Sequence, residues 1–139
     1  MTAAAADRRI NSRELGRIIE YRMAAVKIYH GTIVRLNATG FAIPGDDAAN
    51  GTMAIGVAIE TVDNSGGSAG DLSIKVQKGS FMFVNDGNVV QATTGLNATI
   101  LDDQTVSVAG TTTNDHIAGT VEDFNDDGSQ VLIKFHEHA

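Results

Sequence analysis

The chain has 139 residues, a net charge of −7, one proline and no cysteine. This length favours one domain with a core of its own, and the lack of cysteine excludes disulfides, thiolate metal sites and cysteine nucleophiles. No apolar run approaches the roughly 18 residues that span a bilayer, so we expect no membrane partner.

Charge divides the chain into a basic N-terminal arm, residues 1–27, and an acidic body, residues 28–139. The arm has six basic and three acidic residues, and the body has four basic and fourteen acidic residues. An acidic body repels nucleic acid, so we expect no nucleic-acid partner. The arm is therefore interpreted as an interaction segment for a protein surface.

Within the arm, the pattern predicts a flexible tail followed by an amphipathic helix from about residue 12 to about residue 24. Asn11 and Glu14 have the spacing of a helix-capping pair. Apolar residues then recur at helical spacing, at Leu15, Ile18, Ile19, Met23 and Val26. Two roles stay open for this helix, namely covering one end of the body or docking on a partner. Because the alanines precede the arginines, the N-terminus does not resemble a secretory signal, and we expect synthesis in the cytoplasm.

After Lys27 the apolar period changes from 3.6 to 2. Short β-prone runs follow one another at intervals of about 8–12 residues, with glycine, asparagine and aspartate between them. The runs are TIVRLN, GFAIP, MAIGVAIETV, DLSIKVQKG, SFMFVN, LNATIL, QTVSVAG, HIAGTVEDF and QVLIKFHEH. The predicted fold is all-β, a small barrel or sandwich of short antiparallel strands.

A weak internal repeat is visible within these runs. IGVAIE at residues 55–60 leads through a polar loop into LSIK at 72–75, and IAGTVE at 117–122 leads through a shorter loop into VLIK at 131–134. The pattern predicts two similar hairpins and not a solenoid repeat. A glycine inside each first strand indicates a bulge or a close backbone approach.

The polar loops are interpreted as turns. The glycine loop at 66–70 leads into a strand, whereas a phosphate loop opens a helix. The segment 123–128, DFNDDG, matches the first half of an EF-hand loop, but Lys134 stands where the bidentate glutamate belongs. His136 and His138 share a strand face without a third ligand nearby in sequence. We therefore predict that the protein has no catalytic, cofactor or metal site and is not an enzyme.

Three segments resemble the tailed-bacteriophage capsid decoration, or cement, proteins. They are IYHGTIVRLNATGFAIPG, AIGVAIETVDNSGGSAGDLSIKVQKGSFMF and IAGTVEDFNDDGSQVLIKF, which together extend over roughly residues 28–136. The resemblance implies a β-barrel-like part of the virion that sits on the outer face of the capsid, binds the major capsid protein, is usually trimeric and has no catalytic role. The basic arm departs from the family pattern.

On this reading the arm contacts the capsid or a neighbouring subunit. The predicted contact residues are Arg9, Arg13, Leu15, Arg17, Ile18, Ile19, Arg22 and Met23. Deletion of residues 1–26 is expected to weaken capsid occupancy and to leave the body folded. Two alternatives stay open, another virion component such as a head fibre base or tail protein, and, ranked lower because the chain lacks tryptophan, a carbohydrate-binding β-domain.

Overall fold

The computed structural model describes residues 17–136, which form short β-strands joined by turns and loops. The predicted all-β fold class is confirmed. The strands are β1 (Ile18–Arg22), β2 (Lys27–Ile28), β3 (Ile33–Leu36), β4 (Ala42–Pro44), β5 (Ala54–Ala58), β6 (Val62–Asp63), β7 (Ser73–Gln77), β8 (Ser80–Asn85), β9 (Asn97–Ile100), β10 (Thr105–Ser107), β11 (Ile117–Phe124) and β12 (Gln130–Lys134). A single 3-10 turn, Gln91–Thr93, precedes β9.

The predicted helix over residues 12–24 is wrong for the part that the structure describes. Residues 18–22 form β1, which pairs antiparallel with β7 along its whole length. Side chains alternate in burial along β1, with Ile19 and Tyr21 turned inward, and the inward set continues to the fully buried Met23. Two consecutive isoleucines and a tyrosine favour a strand, and the exposed edge of β7 supplies the pairing. Residues 12–16 lie outside the described residues.

Five strands form a closed barrel in the order β10-β8-β12-β11-β9. Four of the five contacts are antiparallel, and the barrel closes where β8 runs parallel to β10. Phe83 and Phe135 meet edge to face inside it, with ring centroids 5.7 Å apart. The alternating residues of each strand therefore fill a small apolar interior.

The other large sheet has the order β1-β7-β5-β3-β4. Its outer strands approach one another as well, because Met23 at the end of β1 forms a parallel bridge with Ala42 of β4. The Ala24 N–H also donates to the Ala42 carbonyl at 3.1 Å. β2 and β6 pair with each other beside this sheet.

The two five-stranded sheets share one topology, so the chain consists of a first unit (residues 17–78) and a second unit (residues 79–136). β1, β7, β5, β3 and β4 correspond to β8, β12, β11, β9 and β10. The register agrees at the residue level, since β1 starts opposite Gln77 and β8 starts opposite Lys134. The parallel closure agrees too, with Ala42 in the first unit and Val106 in the second.

Irregular features recur at equivalent places. One extra residue bulges from β5 at Ile55 and from β11 at Ala118, in each case immediately before a glycine. Single hydrogen bonds recur as well: the Lys78 N–H donates to the Arg17 carbonyl, and the Phe135 N–H donates to the Gly79 carbonyl. The weak repeat in the sequence is therefore the visible part of a structural duplication that covers all ten strands.

The cores of the two units use the same positions. Six equivalent pairs are buried on both sides: Val34 and Ala98, Ala42 and Val106, Ile55 and Ala118, Ala58 and Val121, Ile74 and Val131, and Val76 and Ile133. In all six pairs a larger side chain in one unit corresponds to a smaller one in the other, and the direction of the exchange alternates. Interior volume is thus kept although the residues differ, as close packing requires.

The units pack against each other through the outer side of the first. Ile33, Ala54 and Val57 project from β3 and β5 into the apolar cluster that contains the second unit's core. The Ile33 N–H also donates to the Asp103 carbonyl at 2.8 Å. This packing explains why every residue of β5 is buried.

Candidate functional site

The predicted contact residues are divided by the structure. Arg9, Arg13 and Leu15 lie outside the described residues. Of the rest, Arg17, Ile18 and Arg22 are exposed on or beside β1, Ile19 is partly buried, and Met23 is fully buried in the core of the first unit. Within the described part of the arm, the outward face of β1 is therefore the surface that remains open to a partner.

The glycine loop of residues 66–70 connects β6 with β7 and is organised by its own polar groups. The Asn64 side chain is buried and donates to the carbonyls of Ala24 and Ser68, both at 3.0 Å. Asp71 accepts the Ser68 N–H at 2.9 Å. The hydrogen bonds of the loop thus close a turn and tie it to the end of β1.

The segment 123–128 is the end of β11 and the hairpin turn that leads to β12. Asn125 Oδ1 accepts the Gln130 N–H, and Asp127 Oδ1 accepts the Ser129 N–H, both at 2.9 Å. Hydrogen bonds from the Ser129 side chain and from its main-chain N–H lower the pKa of Asp127. Within residues 17–136 no group of three or more histidine, cysteine, aspartate or glutamate side chains could hold a metal ion.

The histidines fall on separate elements. The main-chain N–H of His30 donates to Thr61 Oγ1. His136 Nε2 lies 3.1 Å from Thr120 Oγ1 and 3.0 Å from Asn97 Oδ1. The role of Nε2 as donor or acceptor in these two contacts depends on the tautomer of the ring, and both contacts fix the orientation of the ring. His138 lies outside the described residues.

An open groove of about 500 Å³ runs over β11 and β12 in front of His136. It is lined by Thr120, Glu122, Lys134, Phe135 and His136. The Glu122 carboxylate accepts the Ser80 hydroxyl at 2.7 Å. The groove lies on the face of the second unit that corresponds to the buried face of the first, and its lining combines apolar and polar groups, with the apolar part the larger.

Arg35 is a buried cation that sequence reasoning missed. It is 1% exposed, and its guanidinium donates twice to Asp46 Oδ1, at 2.6 and 3.0 Å. It also donates to the carbonyls of Asn50, at 2.5 Å, and Ala48, at 3.3 Å. The planar guanidinium group of Arg35 thereby fixes the shape of the loop between β4 and β5. The signal available in the sequence was a lone arginine among apolar residues in the β-prone run TIVRLN.

The same loop is hydrogen-bonded to the second unit. We call these contacts, Asp47 with Thr113 and Asn114 and Ala48 with His116, the clasp. Asp47 accepts the N–H groups of Thr113, at 2.7 Å, and Asn114, at 2.8 Å. His116 Nε2 lies 2.6 Å from the Ala48 carbonyl. The two loops involved, β4–β5 and β10–β11, occupy equivalent positions in the duplication, so the units are joined through corresponding parts.

Lys78 is the second buried cation. Its ammonium donates to the Ile55 carbonyl at 2.7 Å, at the bulge of β5, and the residue is 1% exposed. Its equivalent in the second unit is the equally buried Phe135. The first unit therefore stabilises its bulge with a hydrogen bond at a position that the second unit fills with an aromatic ring.

An apolar strip lies on the outer face of the second unit. We define it as Met82, Val84 and Leu132, where Met82 and Leu132 are directly opposed on β8 and β12. Met82 is 41% exposed and Val84 is 43% exposed. The equivalent residues of the first unit are Glu20, Arg22 and Lys75, all exposed. At these three positions the second unit therefore has apolar side chains where the first unit has charged ones.

The structure defines a small all-β protein made of two five-stranded units. No helix of residues 17–136 has the length and apolar character needed to cross a membrane. No protein-family model, curated protein or solved structure matches the chain.

Proposed function

We propose that this protein is a capsid decoration protein of the kind found on tailed bacteriophages. It binds the outer surface of the head as a homotrimer, contacts the major capsid protein and stabilises the shell. Its role is to join surfaces, and it carries out no reaction of its own.

The observation that carries the proposal is where the family-like segments fall in the fold. The segment IAGTVEDFNDDGSQVLIKF spans β11, the hairpin turn and β12, and AIGVAIETVDNSGGSAGDLSIKVQKGSFMF runs from β5 into β8. The resemblance therefore rests on the strands that build both units and on the order in which they occur, and less on the exposed loops.

The use of the polar groups supports a binding part over an enzyme. The two buried cations, Arg35 and Lys78, hold a loop and a bulge. Asp47 joins the two units, and Glu122 is bonded to Ser80. These groups are engaged in the fold, and the acidic residues are distributed over the surface.

Stabilisation of a shell by such a part follows from mass action. A protein that binds the assembled lattice and not its free subunits shifts the equilibrium toward the intact shell. Contacts that are weak one at a time add up when three linked copies engage a repeating surface. Light scattering of the purified chain should give three times the mass of one chain.

The test is location and occupancy on particles. We expect the protein in purified virions, with labelled antibody on the head and not at a head fibre base or on the tail. We expect purified chain to bind undecorated shells and to raise the temperature at which they rupture. Absence from virions, or label confined to the tail, would contradict the proposal.

The contribution of the arm is tested with a chain that lacks residues 1–16. The deletion stops there because β1 begins at Ile18 and belongs to the first sheet. We expect lower occupancy on undecorated shells with an unchanged circular dichroism spectrum. A matched control is Gly66→Ala, which alters an open loop of the body and leaves residues 1–16 intact. Full occupancy by the truncated chain would assign capsid binding to the body.

A further inference from the structure

We infer that in the free protein the apolar strip of the second unit is covered by the chain's own N-terminal segment, residues 1–16. The inference concerns the isolated chain and does not depend on the proposed role on a capsid. It rests on the contrast between the two units, on where the described chain begins, and on the size and charge of the strip.

The comparison between the two units shows that the apolar strip is a feature of the second unit only. Met82 and Glu20 occupy equivalent outward positions on β8 and β1, with the same backbone register, and both are exposed. Leu132 and Lys75 are likewise equivalent on β12 and β7. A strand face that borders only water is expected to be mostly polar, and the first unit has Glu20, Arg22 and Lys75 there, with Ile18 as its one exposed apolar residue on β1. The second unit therefore presents a face suited to being covered.

The start of the described chain places the N-terminal segment beside this face. The Arg17 carbonyl accepts the Lys78 N–H at 2.8 Å, and Lys78 is separated from Ser80, the first residue of β8, by a single glycine. Met82 is four residues beyond Lys78, at most about 14 Å along the chain. Sixteen residues reach up to about 55 Å when extended, so they can return to the strip without strain.

Size favours a short segment over a globular partner. The strip consists of three side chains on two strands, whereas a stable interface between globular proteins buries roughly 800 Å² on each side. One or two apolar side chains suffice to cover it. Residues 1–16 contain two large aliphatic side chains, Ile10 and Leu15.

Charge favours the same segment. Leu132 lies opposite Asp123 on β11 and Glu122 is the neighbouring residue, so the β11 side of the strip is acidic, while the exposed Lys134 lies two residues further along β12. Residues 1–16 carry three arginines against two acidic residues. An apolar segment interleaved with arginine thus matches an apolar strip edged with carboxylates.

A disulfide trap in the full chain tests the contact. The chain has no cysteine, so Ser12→Cys combined with Leu132→Cys reports one pair only. We expect an intramolecular disulfide under mild oxidation of a dilute sample, identified by peptide mass spectrometry. The matched control is Ser12→Cys with Lys75→Cys, because Lys75 lies only three residues from Lys78. Equal yields from both pairs would show a freely moving segment and overturn the inference, and so would disulfide-linked dimers as the main product.

Limited proteolysis gives an independent readout. Trypsin should cleave after Arg13 about tenfold more slowly in the wild-type chain than in Met82→Glu, which restores the chemistry of Glu20. Met82 is exposed, so this variant is expected to keep its circular dichroism spectrum and melting temperature. Glu20→Gln is the matched control and should leave cleavage unchanged. Identical rates in the wild type and Met82→Glu would contradict the inference.

Discussion

Gly56 and Gly119 occupy the same place in the two units, each on a central strand beside a carbonyl of the next strand. A Cβ on Gly56 would lie 2.6 Å from the Gln77 carbonyl oxygen, and one on Gly119 would come even closer to the carbonyl oxygen of Lys134. Each glycine follows the bulged residue of its strand. Two strands at each site therefore approach at a distance that only glycine permits.

We expect Gly119→Ala to destabilise the protein by about 1–3 kcal/mol, because the methyl group must displace backbone and not a flexible side chain. Gly56→Ala should cost at least as much, since its φ of 151° is also unfavourable for alanine. Urea denaturation measures both changes. Gly66→Ala is the control, because a Cβ there meets nothing within 4 Å. A neutral Gly119→Ala would mean that the strands separate easily at this point.

Arg35 is expected to tolerate no conservative replacement. Lysine keeps the charge but cannot reach Asp46 and two carbonyls at once, so Arg35→Lys should lose about 1–3 kcal/mol of stability. The loop that Arg35 shapes carries Asp47, so the amides of Thr113 and Asn114 should exchange hydrogen faster in this variant. Arg22→Lys on exposed β1 is the control. Unchanged exchange at both amides would show that the clasp forms without the arginine.

Acid should weaken the clasp between the units. Hydrogen bonds from Thr113 and Asn114, helped by the charge of His116, lower the pKa of Asp47 below its ordinary 3.8. A carboxylate with a lowered pKa stabilises the fold above the pKa of the unfolded chain, about 4, and this contribution is lost as the pH falls through the folded value. Asp47→Asn should therefore reduce the slope of unfolding free energy against pH below about pH 4.

Asp103 provides a control of opposite sign. Burial and the nearby charge of Asp102 raise the pKa of Asp103, so its ionisation disfavours the folded state. Asp103→Asn should stabilise the protein at pH 7 and have less effect at pH 3, the reverse of Asp47→Asn. Parallel pH profiles for the two variants would show that neither carboxyl is perturbed as its contacts indicate.

The sequence allowed the strands to be predicted well, because alternation along runs such as SIKVQ depends only on which side chains face the core. The paired strands of the weak repeat were also predictable, although the residue-level match in the second strand is offset: Lys134 corresponds to Gln77 and not to Lys75. The similar residue types of LSIK and VLIK suggested that Lys134 matches Lys75, and only the register of strand pairing corrects this.

The features that could not be predicted are the long-range ones. β1 carries apolar residues at both helical and strand spacing, and the edge of β7 decides between the two, about 55 residues away in the chain. The loop clasp joins Asp47 to Thr113 across the two units, and Arg35 and Lys78 are buried by strands distant in sequence. The contact residues on a partner stay predictions, because no partner is part of the structure.

Calcium is expected to leave the protein unchanged. The side chains of Asn125 and Asp127, which would be EF-hand ligands, accept the N–H groups that close the hairpin turn. A bound ion would compete with these N–H groups for the side-chain oxygens and would lack the bidentate glutamate. Calorimetry with millimolar calcium should show no saturable heat, and the melting temperature should not move. Micromolar binding would assign this loop an ion.

The structure changes the expected effect of N-terminal deletions. Removing residues 1–26 would take away β1 and Met23, which is fully buried, and would leave β7 paired with β5 alone. This deletion should therefore unfold the first unit, whereas deletion of residues 1–16 should not.

Met23→Ala isolates the packing contribution and should cost about 2–5 kcal/mol. Ile18→Ala on the same strand, 56% exposed, should cost less than about 1 kcal/mol and serves as the control. Thermal melts followed by circular dichroism compare all four chains, and a folded, cooperative chain lacking residues 1–26 would show that β1 is dispensable.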